Sequence, residues 1–598
     1  MESNTGPSVI ASYPTIEPRG LRDRYIGTIS EKDLGATVTV CGWVSKVREH
    51  GEHLVFIDVR DFTGIVQVVA HSTVELRAEY VVRVSGKVTR RPKGTENLSL
   101  FTGQVELTET EIELLAQADP PPFSITDRVE VDESTRLKFR YLDLRREKMQ
   151  SNLRARSRIN SAIRSSMERQ GFTELETPLL WTPTPEGARE FVVPSRLNHG
   201  SSYVLPQSPQ IAKQLLMVSG FDRYYQIARC LRDEDLRADR QFEFTQLDLE
   251  ASFVTQDDVM EFISDAVLGA SRAVGLEHVD PIGRITWRDA MDLYGVDKPD
   301  MRFGNTLIDV SDIFAATEVR ALSAPCVKAL VVPDPSELTR SKLDGLVERA
   351  KALGAKGLLW LRVELRDGEL VLDSPVAKFI SDVESQELIA KVGAEAGSVI
   401  LMVADQWQSA CQVLGQLRLE LGRKLADPNQ FSYVWVVDFP LFEGINVQGS
   451  LISAHHPFTM PNQDDFDKLE SDPLSVRSQS YDLVLNGWEL GSGSIRIHRS
   501  DIQARIFSLL GISEEEAKSR FGFLLEAFRF GAPPHGGFAF GIDRLTALLV
   551  GEDNIREVIA FPKTQSGSDL MTGAPKPLEK SSWDLLGLSV KPVSKNQG

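Results

Sequence analysis

The tightest constraint on the fold lies near the N-terminus, where five short runs of alternating apolar and polar residues follow one another with Gly at the bends. They read ATVTVCGWV, HLVFIDVRD, GIVQVVA, EYVVRVSGKV and GQVELTETEIELL, between Tyr25 and Leu115. Alternation with period two marks each run as a strand. Five short strands of this kind fit a small closed barrel of the oligonucleotide-binding type, which leaves no strand edge unpaired. Strand count alone would suit any small β domain, so the barrel topology is an expectation.

The barrel is only part of the chain. At 598 residues the protein is too long for one core, and about 150 residues per domain suggests roughly four domains. Residues 1–22 carry Pro, Ser and Gly without periodicity and read as a loose leader. The barrel domain then spans 23–117, and the Pro-rich DPPPFSI opens a hinge over 118–150. The amphipathic run SRINSAIRSSMERQGF stops at Gly171, a helix-ending signal. Between Asn305 and Leu425 strands such as KALVVP alternate with helical runs such as SKLDGLVERAKALGA. Residues 305–425 therefore read as an α/β module inserted into a larger domain made of 151–304 and 426–580, with 581–598 as a tail. The fold class is multidomain α+β.

Composition excludes several functions. No stretch of about 20 apolar residues is present, as a membrane span would need. The opening MESNTGPSVIASYP lacks the basic and apolar regions of a signal peptide, which predicts a cytoplasmic protein. Cys41, Cys230, Cys326 and Cys411 share no ligand or disulfide spacing, so buried free thiols are expected, and the nine His residues show no HExxH. The net charge of −18 argues against a non-specific nucleic-acid coat, although basic residues gather from Arg136 to Arg164. On charge alone that stretch reads as a solvated helix face.

Three segments carry chemistry. GFDRYYQIARCLRDEDLRADRQFEFTQLDLE reads strand, charged loop, strand. Alternation places Gln226 and Arg232 on one face of the first strand, and Phe244, Gln246, Asp248 and Glu250 on one face of the second. An Arg at the rim beside an aromatic could hold a phosphate and stack a base, whereas taken alone a charged hairpin loop is usually just solvated. PPHGGFAFGIDRLTALLVG places a double Gly in a strand and Arg544 at the start of an apolar helix, where backbone N–H groups attract anions. The same pattern suits a plain strand-to-helix packing joint. YDLVLNGWELGSGSIRIH contains Asn486-Gly487, a strong hairpin turn, which sets Val484 opposite Glu489 with Asp482 two residues back on the same face. A diagonal of roughly 7–8 Å lets two such carboxylates share Mg²⁺ on substrate phosphates; scattered acids on an exposed sheet are the alternative.

Taken together these segments resemble the class II aminoacyl-tRNA synthetases. Gly171–Pro178 (GFTELETP) looks like the first class motif, at the dimer interface, Phe221–Glu250 like the second and Gly537–Arg544 like the third. FRYLDLRR, PTPEGAREF, LPQSPQIAKQLL, LRDEDLRADRQFEFTQLD and AHHPFT are similar to the bacterial aspartyl branch over nearly the full length, inserted module included. The resemblance implies a mainly antiparallel catalytic sheet, an anticodon-reading barrel, a homodimer, and activation of L-aspartate by ATP with Mg²⁺. It implies an aspartate site of Glu186, Gln210, Lys213, Arg232, His455 and Arg496, with Ser208 nearby and His456 beside His455. Arg232 would bridge the aspartate carboxylate and the ATP α-phosphate, Arg496 would take the substrate side chain, and Arg544 would meet the γ-phosphate. The ATP set is completed by Asp233, Glu234, Gln241, Phe244, Glu489, Gly541, Ile542 and Asp543, and the metal set is Asp482 and Glu489.

In the barrel, Arg48, Phe56, Gln67 and Glu106 align with the anticodon-reading positions of the family. Aromatic stacking and edge hydrogen bonds are how single-stranded bases are held. His50 and Gly94 resemble the relaxed subtype, which charges both tRNA(Asp) and tRNA(Asn); each could equally be an ordinary loop His and turn Gly. A strict tRNA(Asp) enzyme, a lysyl or asparaginyl relative and a catalytically dead tRNA-binding relative are the rival readings.

Overall fold

The computed structural model describes residues 17–51, 54–71, 75–183, 189–277, 281–332, 335 and 338–591. They form two compact units, Met1–Ser157 with Arg556–Pro577, and Arg158–Ile555 with Leu578–Gly598. In the first, strands β1 (Thr37–His50), β2 (Leu54–Arg60), β3 (Ile65–Ala70), β4 (Val81–Arg90) and β5 (Val105–Ala116) close into a barrel in the order β1-β2-β3-β5-β4. All its pairings are antiparallel except β3 with β5. The alternation seen in the sequence becomes burial: Val38, Val40 and Val44 of β1 pack with Val82, Val84 and Val88 of β4 in one core. Each such side chain contributes about 1.5–3 kcal/mol when fully buried.

The first unit extends beyond the barrel. Residues expected as a hinge, 118–150, hold helices Glu133–Lys138 and Arg140–Asp143. The units divide at Ser157, inside the helix Glu147–Arg169. Arg140 holds its segment in the first unit, and its guanidinium is buried. It donates to the carbonyls of Arg556, Ile559 and Ala560 and pairs with Asp143 at 2.6 Å. A buried cation must be paired and hydrogen-bonded, and here the partners lie 416–420 residues away, so no local pattern announces them.

In the second unit, β6 (Thr173–Glu174), β7 (Val192–Pro194), β8 (Ser202–Val204), β9 (Arg223–Leu231), β10 (Glu243–Ser252) and β11 (Gly283–Thr286) precede the inserted module. The module contains β12 (Ile308–Asp309), β13 (Cys326–Val332), β14 (Leu359–Arg366), β15 (Glu369–Asp373) and β16 (Val399–Asp405). After it come β17 (Tyr433–Val437), β18 (Phe442–Ile445), β19 (Leu451–Ser453), β20 (Ser480–Leu485), β21 (Trp488–Ile495) and β22 (His535–Gly541). Eight strands make one sheet in the order β11-β17-β20-β21-β22-β10-β9-β6. Only its outermost pairings, β11 with β17 and β6 with β9, are parallel. This order sets the β9–β10 and β20–β21 hairpins on either side of β22, which brings the three chemistry-bearing segments together.

The module's sheet, β12-β13-β16-β14-β15, is antiparallel throughout. Val399, Leu401 and Val403 of β16 enter one core and Ile400 and Met402 another, so both faces are covered. That explains the unbroken apolar run VILMV. The cysteines form no disulfide; Cys41 is half-buried and the other three are buried. Among the described residues no helix is long and apolar enough to cross a membrane.

Candidate active site

β10 pairs with β9 so that Asp248 lies opposite Gln226 and Phe244 opposite Cys230. Phe244, Gln246 and Asp248 face a cleft of about 650 Å³ whose far wall is Glu489, Ser492, Ser494 and Arg496. Ser208, just before helix Gln210–Val218, and Gln210 and Lys213 within it close one end. His455 and His456 also line it.

The floor is a desolvated ionic network. Arg496 is 2 % exposed and holds Glu250 through two bonds, Nε–Oε1 2.9 Å and Nη2–Oε2 3.2 Å. Its Nη1 donates to Ser494 Oγ at 2.7 Å and lies 2.8 Å from His456 Nε2. Lys213 is 1 % exposed, with Nζ 3.0 Å from Asp248 and 3.4 Å from Glu250. Burial would raise the Glu250 carboxyl, but Arg496 and then Lys213 outweigh it and keep the group below its usual range. Burial likewise opposes the Arg496 charge, and Glu250 overcomes it, leaving the guanidinium more basic than usual. Burial lowers His455 to about 4, and burial followed by the Arg496 charge keeps His456 well below its ordinary value, so both rings are neutral. Glycine makes this floor possible: at Gly537 an added Cβ would collide with the Glu250 carboxylate and the Leu249 carbonyl.

At the rim, the Arg232 guanidinium sits 5.1 Å from the Phe244 ring centroid. Arg544, in the first turn of helix Ile542–Leu549, donates to the Glu489 carbonyl at 3.0 Å and to Asp239 at 3.2 Å. Gln241 and Glu234 line the cleft, Glu234 also pairing with Arg240 at 3.4 Å. Gly541 and Asp543 line it too, but the Asp543 carboxylate accepts the Thr245 N–H at 2.7 Å. Asp233, Ile542 and Asp482 stand off its wall, Ile542 being fully buried. Glu186 lies outside the described residues.

The Asn486-Gly487 turn has φ of 52° and 82°, the double-positive geometry of a tight hairpin. Val484 pairs with Glu489, while Leu483 pairs with Gly491, so β21 carries one extra residue at Leu490. Asp482 is 6 % exposed with one carboxylate oxygen unpartnered. Burial, Glu489 and Asp297 drive its carboxyl well above the usual range. Burial acts the same way on Glu489, but Lys298, 2.6 Å from Oε2, holds it below. An orphaned buried carboxylate oxygen beside a second carboxylate is a fit for a hard divalent cation. Asp248 and Glu250 shared the predicted face with Phe244, but nothing local marked their partners. Lys298 and Asp239 were missed outright, because each reaches its partner across a long separation in the chain.

The barrel carries a second cluster in the first unit. Arg48 grips Asp58 with bonds of 2.6 and 2.8 Å and donates to Gln67 at 3.0 Å, and Gln67 donates to Glu106 at 2.8 Å. Phe56 pairs opposite Arg48, and the His50 ring meets it edge-on at 6.3 Å. Gly94 turns the chain at φ 90°.

Residues 132–565 match the class II tRNA synthetases (D, K and N), the class that the eight-stranded sheet and its cation-lined cleft define, and residues 38–115 match the OB-fold nucleic acid binding domain. A relative from Thermoanaerobacter pseudethanolicus, an aspartate--tRNA(Asp/Asn) ligase, is 47 % identical over 95 % of this chain and 98 % of its own. An aspartate--tRNA ligase from Bacillus licheniformis is 48 % identical over 95 % and 99 %. The fold is shared with the asparaginyl-tRNA synthetase of Pyrococcus horikoshii solved with asparaginyl-adenylate (TM-score 0.56, 18 % identity, 90 % and 98 % covered). The chain belongs to the class II tRNA synthetases and, within them, to the aspartate--tRNA ligases.

Proposed function

We propose that the second unit's cleft activates L-aspartate with ATP and passes it to tRNA(Asp) and tRNA(Asn). In the first step an α-carboxylate oxygen of aspartate bonds to the α-phosphorus as the bond to the bridging oxygen breaks, giving aspartyl-adenylate and pyrophosphate. Such transfers depend on positioning and charge neutralisation. Arg232 serves the α-phosphate and the attacking carboxylate, Arg544 the γ-phosphate, and Phe244 with Gln241 the adenine. Glu234 serves the nucleotide from the cleft wall and Asp233 from behind it, while Gly541, Ile542 and Asp543 act through backbone at a helix start. Enzymes of this class use a divalent metal ion with ATP; here Asp482 and Glu489 would hold Mg²⁺, which would offset phosphate charge. In the second step the terminal ribose hydroxyl of tRNA attacks the acyl carbon and AMP leaves.

The observation that carries the reading is the buried pair of cations, Lys213 and Arg496, aimed into a cleft that also holds an Arg–aromatic rim. A planar Arg fork binds a carboxylate in preference to an amide, so aspartate fits better than asparagine. Gln210, Ser208, His455 and His456 shape the same pocket, and Glu186 is assigned by its string PTPEGAREF.

The barrel reads the anticodon through Arg48, Phe56, Gln67 and Glu106, with His50 and Gly94 permitting the second tRNA. The edge-on His50–Phe56 contact supports this by setting His50 beside a stacking platform. We further infer a cytoplasmic homodimer: Leu179 and Leu180, each 51 % exposed after the first class motif, suit a second copy. On the same reading the chain divides into a leader (1–22), the barrel (23–117), a hinge (118–150), the catalytic domain (151–304 and 426–580) around the inserted module (305–425), and a tail (581–598). Charging purified tRNA(Asp) and tRNA(Asn) side by side tests the specificity: comparable rates are expected, and a large preference for tRNA(Asp) would reject the relaxed assignment.

A further inference from the structure

Lys298 lies in the loop between helix Trp287–Tyr294 and the inserted module. We propose that Lys298 is a tethered counter-cation: it occupies Glu489 in the nucleotide-free enzyme, so that the divalent ion enters with ATP and not alone. This rests on the reading of Asp482 and Glu489 as the metal pair.

Lys298 lines the cleft, and its Nζ is 2.6 Å from Glu489 Oε2. Asp297 and Asp482 are also within its electrostatic reach. Glu489, Asp297 and Asp482 all act electrostatically on this ammonium, and such a density of acid draws divalent ions. The ammonium engages Glu489. Among the described residues no group of three or more His, Cys, Asp and Glu is set to hold a metal, so the carboxylates alone leave the ion's shell incomplete. ATP supplies the remaining ligands, since phosphate oxygens complete the shell of such ions. The phosphates can also draw the flexible ammonium off Glu489, a four-carbon stem with a side chain 43 % exposed having room to swing.

The loop itself is fixed, so the ammonium is delivered to one place. Arg418, from helix Trp407–Gly422 of the inserted module, is 1 % exposed. It donates to the carbonyls of Asp300, Phe303, Gly304 and Asn305. Its guanidinium lies 4.8 Å from the Tyr294 ring and 4.4 Å from Phe303. The Asp300 carboxylate in turn holds Arg302 at 2.7 and 3.0 Å. The inserted module thus anchors the segment that reaches the metal pair.

The test titrates the full-length protein with Mn²⁺ and follows the free-ion EPR signal without nucleotide. Lys298→Met should bind at least tenfold more tightly than wild type, while Lys298→Arg, which keeps the charge, should match wild type. Equal affinity for wild type and Lys298→Met overturns the proposal, as does tight binding by Lys298→Arg. Adding Glu489→Gln to Lys298→Met should abolish the gain. If the gain survives, the Asp482/Glu489 metal assignment fails instead. A second titration with a non-hydrolysable ATP analogue should bring wild type to within about threefold of Lys298→Met, and a persisting tenfold gap would contradict entry with the nucleotide.

Discussion

Glu250→Gln is the perturbation that bears most directly on the cleft floor. Glu250 is fully buried and accepts from Arg496 at 2.9 and 3.2 Å, with Lys213 Nζ 3.4 Å away. Gln keeps the shape but has one acceptor oxygen, so its NH₂ must face either Arg496 or Lys213, donor against donor. A hydrogen bond to a charged group contributes about 1.5–3 kcal/mol. Losing one and weakening the other costs about 3 kcal/mol of Arg496 positioning, below the 3–5 kcal/mol seen when a buried pair loses a partner outright. At 1.36 kcal/mol per tenfold, kcat/KM for aspartate should fall roughly 10²-fold. ATP–pyrophosphate exchange measured against each substrate reads it: the KM for aspartate should rise while that for ATP moves less than about threefold. An unchanged aspartate KM, or an equal rise for both substrates, would refute the argument that Glu250 orients the carboxylate-binding fork.

Gly537→Ala should reproduce that selective aspartate defect, because the new Cβ meets the Glu250 carboxylate; exchange kinetics with near-normal aspartate KM would show that the close approach is unimportant. His455 protonates near 6.5 unfolded but only near 4 in the folded protein, so between those values the unfolded chain binds more protons. Its contribution is therefore complete above pH 6.5 and is lost as pH falls, reaching about 3 kcal/mol near pH 4. Denaturant midpoints against pH should fall less steeply for His455→Asn than for wild type, and parallel curves would argue against a buried neutral ring. His50→Leu should shift charging toward tRNA(Asp) over tRNA(Asn) by severalfold; an unchanged ratio would remove His50 from the specificity argument.

What could be read from the chain itself follows the range of the interactions. Barrel strands were legible because alternation is local: Val38, Val40 and Val44 sit two or four residues apart and share one core. The Asn486-Gly487 turn was legible for the same reason, and it set Val484 opposite Glu489 as expected. The bulge at Leu490 was not, since its place is set only by how β21 registers against β20 in the folded sheet. Alternation put Glu250 on the face of Phe244 and Asp248, but its pairing with Arg496 spans 246 residues. Lys298 carried no motif, and only the folded loop brings it to Glu489, 191 residues on. Asp543 was read with the nucleotide site; that its carboxylate also accepts the Thr245 amide of β10, 298 residues away in the chain, had no local signal.

The most direct test of the central claim compares ATP–pyrophosphate exchange by the purified protein with aspartate and with asparagine as the amino acid. Exchange driven by aspartate, with asparagine at background, is the outcome expected of a floor built on Lys213 and Arg496. Exchange driven by asparagine, or none with either, would contradict it.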